Sequence, residues 1–156
     1  MNTNPLAQPY RGLTVGMVAL VSLTAFEAVA VTTVMPTVAR ALHGLALYAL
    51  AFGGALAAGI VGLVVGGAQS DRRGPVRPLW IGTACFVAGL LIAGLAPQMW
   101  VLIVGRVAQG YGGGLLTVAL YVVVGHAYPS AMHPRVFSAF AGGWVVPAVV
   151  GPLLAG

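Results

Sequence analysis

Long apolar runs separated by short polar or proline-containing breaks dominate the pattern of this chain. Five runs approach or exceed the ~20 apolar residues that a helix needs to cross a bilayer. They cover approximately residues 13–35, 45–68, 79–96, 99–127 and 137–156. Proline and polar residues mark the breaks, at Pro36, residues 71–78, Pro97 and residues 129–134. The pattern predicts an all-α, polytopic transmembrane helical bundle whose neighbouring helices run antiparallel.

Composition supports the lipid bilayer as the environment of these helices. Of the 156 residues, 60% are hydrophobic and 6% are charged, whereas soluble domains carry about 25% charged residues. The first run is longer than the ~7–15 apolar residues of a signal peptide. We therefore interpret residues 1–12 as a tail and residues 13–156 as a membrane bundle that retains its first helix.

The arginines predict how the helices are oriented. There is no Lys, and seven Arg against two acidic residues give a net charge of +5. The arginines form no contiguous basic face, so nucleic acid is not an expected partner. If the protein lies in the cell membrane with its N-terminus in the cytoplasm, Arg40 is the one arginine expected on the outer side. This distribution is the one that the positive-inside rule favours. The five expected cytoplasmic arginines are Arg11, Arg72, Arg73, Arg77 and Arg135.

Two ionisable side chains, Glu27 and Arg106, fall deep inside predicted spans. At ~1.5 Å per residue, both lie ~9–12 Å below the outer surface. Charges at such depth are costly and are functional by default. A nearby Arg would favour the ionised form of Glu27, whereas burial among apolar groups would favour its protonated form. This carboxyl group is therefore a candidate proton carrier. An inert packing pair is the alternative.

The segment between the second and third runs carries a family resemblance. Residues 67–79 read Gly-Ala-Gln-Ser-Asp-Arg-Arg-Gly-Pro-Val-Arg-Pro-Leu. They resemble the signature loop of the major facilitator superfamily, Gly-x-Leu-Ala-Asp-Arg-x-Gly-Arg-Lys-x-x-Leu. The matching positions are Gly67, Asp71, Arg72, Gly74 and Leu79. The residues at the Leu, Arg and Lys places of the pattern depart from it, and they are Gln69, Pro75 and Val76.

The resemblance implies that Gly67, Asp71, Arg72 and Gly74 form a cytoplasmic latch, which holds the two halves of a transporter in one conformation. The residues themselves suggest local roles. Asp71 could cap a helix N-terminus, and Gly74 could permit a tight turn. A simple positive-inside anchor is the alternative.

Two further helices carry elements of the same family. Arg106-Val-Ala-Gln109-Gly110 resembles the family's Arg-x-x-Gln-Gly element, in which the Arg is implicated in proton transfer. Glu27, nine positions before Pro36, resembles the first-helix acidic residue of drug and proton antiporters. Glu replaces the commoner Asp there, and Thr32 replaces Asn.

The fifth run contains Pro147-Ala-Val-Val-Gly151-Pro152-Leu-Leu-Ala-Gly156. It resembles the antiporter signature Gly-x-x-x-Gly-Pro-x-x-Gly-Gly, with Pro147 and Ala155 in place of glycines. A Gly-Pro pair bends a helix, and the resemblance implies that Gly151 and Pro152 seal the outer half against proton leak. A kinked packing helix is the alternative.

Other chemistry finds no candidates. The three histidines have no Cys or carboxylate at metal-ligand spacing, and no Ser or Cys nucleophile is set beside a His and an acid. We expect neither a metal site nor an enzyme. The glycines of the second run, including Gly62-x-x-x-Gly66, are assigned to close helix packing.

The family resemblance implies two six-helix bundles that alternate access to a central cavity, of which this chain supplies five helices of the first bundle. The expected function is export of small amphipathic compounds or drugs, driven by a proton gradient without a bound cofactor. Candidate cavity residues are Thr32, Gln109, Tyr111 and Trp144.

Two alternatives remain. One is a proton symporter or facilitator for a metabolite, and the other is a truncated, non-transporting module that associates with other helices. Because the chain stops at Gly156 within the fifth run, we expect the remaining helices to come from the same protein or from another subunit.

Overall fold

The computed structural model describes residues 5–6 and 8–155, and their side chains except those of 146 and 150–155. Within this part the helices are α1 (Arg11–Ala41), α2 (Tyr48–Arg73), α3 (Val76–Gly94), α4 (Met99–Ala127) and α5 (His133–Ala155). Short 3-10 turns occupy Leu45–Leu47 and Ser130–Met132, and these described residues contain no strand. Four helices, α1 to α4, are long and apolar enough to cross a membrane. The prediction of an all-α membrane bundle is confirmed.

The predicted break at Pro36 is wrong, because α1 continues through this residue. Pro36 removes only one backbone N–H from the helical ladder, and membrane helices tolerate such a loss. The helix ends five residues later in a Schellman motif. Gly44 N donates to Ala39 O at 2.8 Å and His43 N donates to Arg40 O at 3.1 Å, with His43 in the left-handed region at φ 50°.

The bounds around the α2–α3 connection also differ from prediction. Helix α2 runs to Arg73 rather than to residue 68, and α3 begins at Val76 rather than at residue 79. Polar residues ended the apolar run without ending the helix, since backbone bonding does not require an apolar side chain. Pro78 lies in the first turn of α3, where a missing N–H costs no hydrogen bond.

The first turn of α5 follows the same rule. This helix starts at His133, with Pro134 as its second residue, and not at residue 137 as predicted. Only α4 has the bounds that were predicted, because Pro97 and a polar neighbour precede it and Tyr128-Pro129 follows it.

The chain forms two compact units. The terminal unit comprises residues up to Met35 together with residues from Val123 onward, and the central unit comprises Pro36–Val122. Helices α1 and α4 therefore each contribute residues to both units.

In the central unit, α3 and α4 meet along a seam of reciprocal glycine pairs. A Cβ added at Gly89 would lie 2.6 Å from Gly105 O, and one added at Gly105 would lie 2.8 Å from Gly89 O. Gly82 and Gly112 repeat this relation, with separations of 3.0 and 2.6 Å from each other's carbonyl oxygens. We call these four residues the α3–α4 glycine seam. Backbones approach so closely only where side chains are missing.

A second contact in the central unit joins α2 to another face of α4. Added Cβ atoms at Gly110 and Gly114 would collide with the carbonyl oxygens of Ala55 and Gly59, and one at Gly62 would collide with Tyr111 O. The predicted packing role of the α2 glycines is consistent with these contacts. Helix α4 thus presents bare backbone to two neighbouring helices.

In the terminal unit, a buried polar cluster ties the end of α4 to the start of α1. The Thr14 and Tyr128 hydroxyls are 2.7 Å apart, and these residues are 1% and 4% exposed. Thr14 Oγ1 also donates toward Pro5 O at 2.8 Å and Tyr10 O at 3.0 Å. Either hydroxyl could donate in the Thr14–Tyr128 bond. Because carbonyl oxygens only accept, both hydroxyl protons are used when Thr14 donates to a carbonyl oxygen and Tyr128 donates to Thr14, and we expect this direction.

Ring contacts and one further hydrogen bond extend this cluster. The Tyr10 and Tyr128 rings stack with centroids 5.0 Å apart, and His133 Nε2 lies 2.9 Å from Tyr128 O. Further along α5, a Cβ on Gly143 would lie 3.0 Å from Ser22 Oγ, which places α5 close against α1.

Replacing Gly114 by Ala tests the close packing of α4. The new Cβ would collide with Gly59 O and lie 2.8 Å from Leu63 N, and overpacking of this kind costs about 1–3 kcal/mol. We expect a lower midpoint of thermal unfolding in detergent. Gly113→Ala is the matched control, because the nearest atom to its Cβ is Phe86 Cδ2 at 4.0 Å. Equal midpoints for the two variants would contradict the packing.

Substitutions at Thr14 and Tyr128 test the direction of their hydrogen bond. Tyr128→Phe removes a donor while leaving the Thr14 hydroxyl its carbonyl acceptors, so we expect a loss of about 0.5–1.5 kcal/mol. Thr14→Val leaves the buried Tyr128 hydroxyl unsatisfied, with a larger expected loss of about 1–3 kcal/mol. Denaturant unfolding of both variants measures the ranking, and the reverse order would refute this geometry.

Candidate functional site

The arginine inside α4 is held by a neighbour on the same helix. Arg106 is half-buried, and its Nη1 group donates a hydrogen bond of 2.9 Å to Gln109 Oε1. Residues three apart on a helix share a face, which explains how the Arg-x-x-Gln spacing brings the two together. A hydrogen bond to a charged group is among the stronger kinds, so Gln109 lowers the cost of an arginine at this depth.

Gln109 is itself a packing residue. It is 3% exposed and lies between Gly105 and Gly112 on the face of α4 that forms the α3–α4 glycine seam. The carbon chain of Gln109 runs past Gly89 of α3. The predicted cavity role of Gln109 stays a prediction, and its observed place is a contact between two helices.

The predicted proton carrier lies in the terminal unit. Glu27 is half-buried in α1, and Thr32, one of the candidate cavity residues, is exposed on the same helix. The Thr32 hydroxyl donates to Val29 O at 2.7 Å. Arg106 belongs to the central unit, so the predicted pairing of Glu27 with Arg106 stays a prediction.

The residues of the predicted latch lie where α2 gives way to α3. Asp71 and Arg72 are exposed in the last turn of α2. Gly74 follows with φ 77° and donates its N–H to Ser70 O at 2.9 Å, which agrees with the expected turn, since this conformation favours glycine. Arg72 and Arg73 are well placed for the partial negative charge of the helix C-terminus.

The suggestion that Asp71 caps a helix N-terminus is wrong. The residue preceding α3 is Pro75, which makes no side-chain cap hydrogen bond. Asp71 was assigned to a loop because the apolar run ended at residue 68, whereas it lies inside α2. Gly67 is half-buried, and a Cβ added to it would meet nothing within 4 Å. The latch function of these residues stays a prediction.

The remaining predicted residues are spread over α4 and α5. Tyr111 is half-buried, and Trp144 is 51% exposed. Pro147 is buried within α5, whose helical backbone continues to Ala155. The side chains at positions 151 and 152 lie outside the described part, as does Gly156. The sealing role of Gly151 and Pro152 therefore stays a prediction.

Sequence reasoning missed the residues that position Gln109. Gly82 and Gly89 are seven residues apart on α3, and Gly105 and Gly112 are seven residues apart on α4. A shared seven-residue spacing of glycines on two antiparallel helices could have indicated the seam. The cluster of Tyr10, Thr14 and Tyr128 was also missed, because nothing in the local sequence connects its parts.

Comparison with known proteins identifies the family. Residues 16–156 match the family model described as Major Facilitator Superfamily. The chain is similar to MFS transporter L2 of a Phoma species, with 31% identity over 138 residues, which are 88% of this chain and 23% of that relative. It is also similar to Multidrug efflux pump SdrM of Staphylococcus aureus, with 23% identity over 142 residues, 91% of this chain and 32% of the pump.

A third relative has a different kind of name. The chain is 32% identical to Inositol transporter 4 of Arabidopsis thaliana over 84 residues, 54% of this chain and 14% of that protein. The chain thus spans a third or less of the length of these curated relatives. No solved structure matches the chain.

The family match extends from the first helix through the fifth, and the all-α membrane fold agrees with it. The chain therefore belongs to the Major Facilitator Superfamily of membrane transporters.

Proposed function

We propose that the protein carrying this chain is a secondary active transporter that exports small amphipathic compounds in exchange for protons. The observation that carries the proposal is the half-buried Arg106 inside α4, hydrogen-bonded to the buried Gln109. An ionisable residue at membrane depth, held by a dedicated partner, is by default a functional residue. The family supplies transport as the function that such a residue would serve.

Glu27 is the proposed proton carrier. It is the one acidic side chain within the apolar part of α1 and is half-buried there. Solvation and positive charge favour the ionised carboxylate, and an apolar environment favours the protonated acid. A conformational change that exchanges these environments would make Glu27 take up a proton on one side of the membrane and release it on the other.

Arg106 is the proposed modulator of that exchange. A guanidinium stays protonated under all physiological conditions, so Arg106 supplies a fixed positive charge whose distance from the carboxylate can change with conformation. This division of roles needs one titrating group and one permanent charge. The charged residues within the five apolar runs of the sequence are one of each, Glu27 and Arg106.

Asp71 and Arg72 are the proposed conformational latch, at the cytoplasmic surface of a cell membrane protein whose N-terminus is inside. Both side chains are exposed at the end of α2, where they are available to helices beyond these five. Gly151 and Pro152 are the proposed seal against proton leak. The printed names of two relatives, Multidrug efflux pump SdrM and Probable multidrug-efflux transporter MT1670 of Mycobacterium tuberculosis, support the proposed substrate class.

A second candidate function is proton symport, or facilitated passage, of a metabolite. The similarity to a protein named Inositol transporter 4 favours it. Symport would use the same carboxylate, since a protonatable group couples transport in either direction. The two functions differ in whether the proton moves against the substrate or with it.

Glu27→Gln tests the proposed proton carrier. The amide cannot titrate, so we expect at least a tenfold loss of the ethidium accumulation that a pH gradient drives in everted membrane vesicles, where export appears as uptake. The reason is that positioned proton transfer contributes ~100-fold or more. Exchange of ethidium down its own gradient should persist.

Glu27→Asp is the control for this experiment, because it keeps a carboxylate and restores the residue commoner in the family element. It should retain most of the proton-driven efflux. Full proton-driven efflux by Glu27→Gln, at equal amounts in the membrane, would remove Glu27 from the mechanism.

A further inference from the structure

Gln109 occupies space that a side chain on α3 would otherwise fill. A Cβ added at Gly89 would lie 2.6 Å from Gln109 Cγ and 2.6 Å from Gln109 N. Real Cβ atoms do not approach other atoms so closely. The Gln109 side chain therefore passes through the notch that the missing side chain of Gly89 leaves.

The notch has rigid walls. The third atom near the added Cβ is Gly105 O, also at 2.6 Å, and the reciprocal Cβ on Gly105 would lie 2.6 Å from Ala93 N. Two of the three atoms nearest the added Gly89 Cβ, Gln109 N and Gly105 O, belong to the backbone of α4, which cannot swing aside as a flexible side chain can. The backbones of α3 and α4 therefore meet directly at Gly89. Because the Gln109 carbon chain lies against Gly89 and the residue is 3% exposed, the contact restricts the rotamers open to Gln109.

The restricted side chain holds the charged group. Gln109 Oε1 accepts the hydrogen bond from Arg106 Nη1 at 2.9 Å. A glutamine has three side-chain torsions, so an unconfined Gln109 would spread its amide oxygen over many positions. Because the carbon chain of Gln109 is confined against Gly89, its amide oxygen stays within hydrogen-bond distance of the Arg106 guanidinium.

We propose that Gly89 is a positioning residue for Arg106, acting through Gln109. The inference rests on the proposed function for its consequence, because a positioned Arg106 matters for proton coupling. The geometry itself does not depend on transport. Gly89 lies on α3, outside the sequence elements that suggested the site.

The competing explanation is that Gly89 only lets two helices pack. Gly82 provides the comparison, since it belongs to the same α3–α4 glycine seam. Its added Cβ would lie 2.9 Å from Leu115 Cβ and 3.0 Å from Gly112 O, and none of its three nearest atoms belongs to Gln109. If packing alone matters, Gly82→Ala and Gly89→Ala should have the same effect on Arg106. Gly94, also on α3, has nothing within 4 Å of its added Cβ and serves as the open-position control.

Chemical labelling of Arg106 tests the positioning directly. The full-length product of the native gene, purified in detergent, is treated with phenylglyoxal, which reacts with guanidinium groups, and peptide mass spectrometry follows modification of Arg106. We expect Gly89→Ala and Gln109→Ala each to raise the labelling rate roughly fivefold, the change in populations expected for one lost hydrogen bond. Gly82→Ala and Gly94→Ala should label at the wild-type rate.

The double variant Gly89→Ala/Gln109→Ala separates positioning from general loosening. If Gly89 acts through Gln109, Arg106 in the double variant is labelled no faster than in Gln109→Ala alone. The reason is that Gln109→Ala already removes the side chain through which Gly89 acts. Additive rates, an equal increase in Gly82→Ala, or an unchanged rate in Gly89→Ala or Gln109→Ala would each overturn the proposal.

Transport by the same variants keeps the two proposals distinguishable. Gly89→Ala should lower proton-driven ethidium efflux several-fold more than Gly82→Ala does, with a changed pH profile, because displacing a reacting group by ~1 Å can cost up to ~100-fold in rate. The wild-type pH profile in Gly89→Ala would overturn its link to coupling. If Glu27→Gln keeps full proton-driven efflux, the proposed function fails, while the labelling result still decides the positioning of Arg106.

Discussion

The close approach of α4 to α2 and α3 is the constraint on which the rest of the central unit depends. Lipid offers no hydrophobic driving force between helices, so their association relies on van der Waals contact and hydrogen bonding. Glycines at Gly105, Gly110, Gly112 and Gly114 let the backbone of α4 touch both neighbours. A polar side chain on the same surface, Gln109, lies against Gly89 of α3 and accepts a hydrogen bond from Arg106.

The same chain satisfies its polar groups in two ways. In the central unit, Arg106 is half-buried and bonded to Gln109, one helical turn away. In the terminal unit, the Thr14 and Tyr128 hydroxyls bond across α1 and the end of α4. Both arrangements reduce the free-energy penalty of a polar group away from water. The pair of Arg106 and Gln109 leaves a permanent charge inside the membrane. A cluster that only stabilises the fold does not require such a charge, and the proposed function is therefore placed on α4.

Sequence patterns predicted the helices because each apolar run matches the thickness of a bilayer. The ends of the helices were less predictable, because α1 continues past Pro36 and α2 continues past Asp71. An apolar run indicates which residues contact lipid, whereas a helix ends where its backbone hydrogen bonds end. The three-residue spacing of Arg106 and Gln109 is enough to place both on one face of α4. The notch at Gly89 could not be predicted from α4 alone, because it depends on the register between two helices.

The measurement that tests the central claim most directly is the direction of proton movement during transport. The full-length product of the native gene is reconstituted in liposomes containing a pH-sensitive dye, and an ethidium gradient is imposed without a pH gradient. Antiport predicts that protons move opposite to ethidium in a fixed ratio. Protons moving with the ethidium, or ethidium moving with no proton flux, would contradict the account.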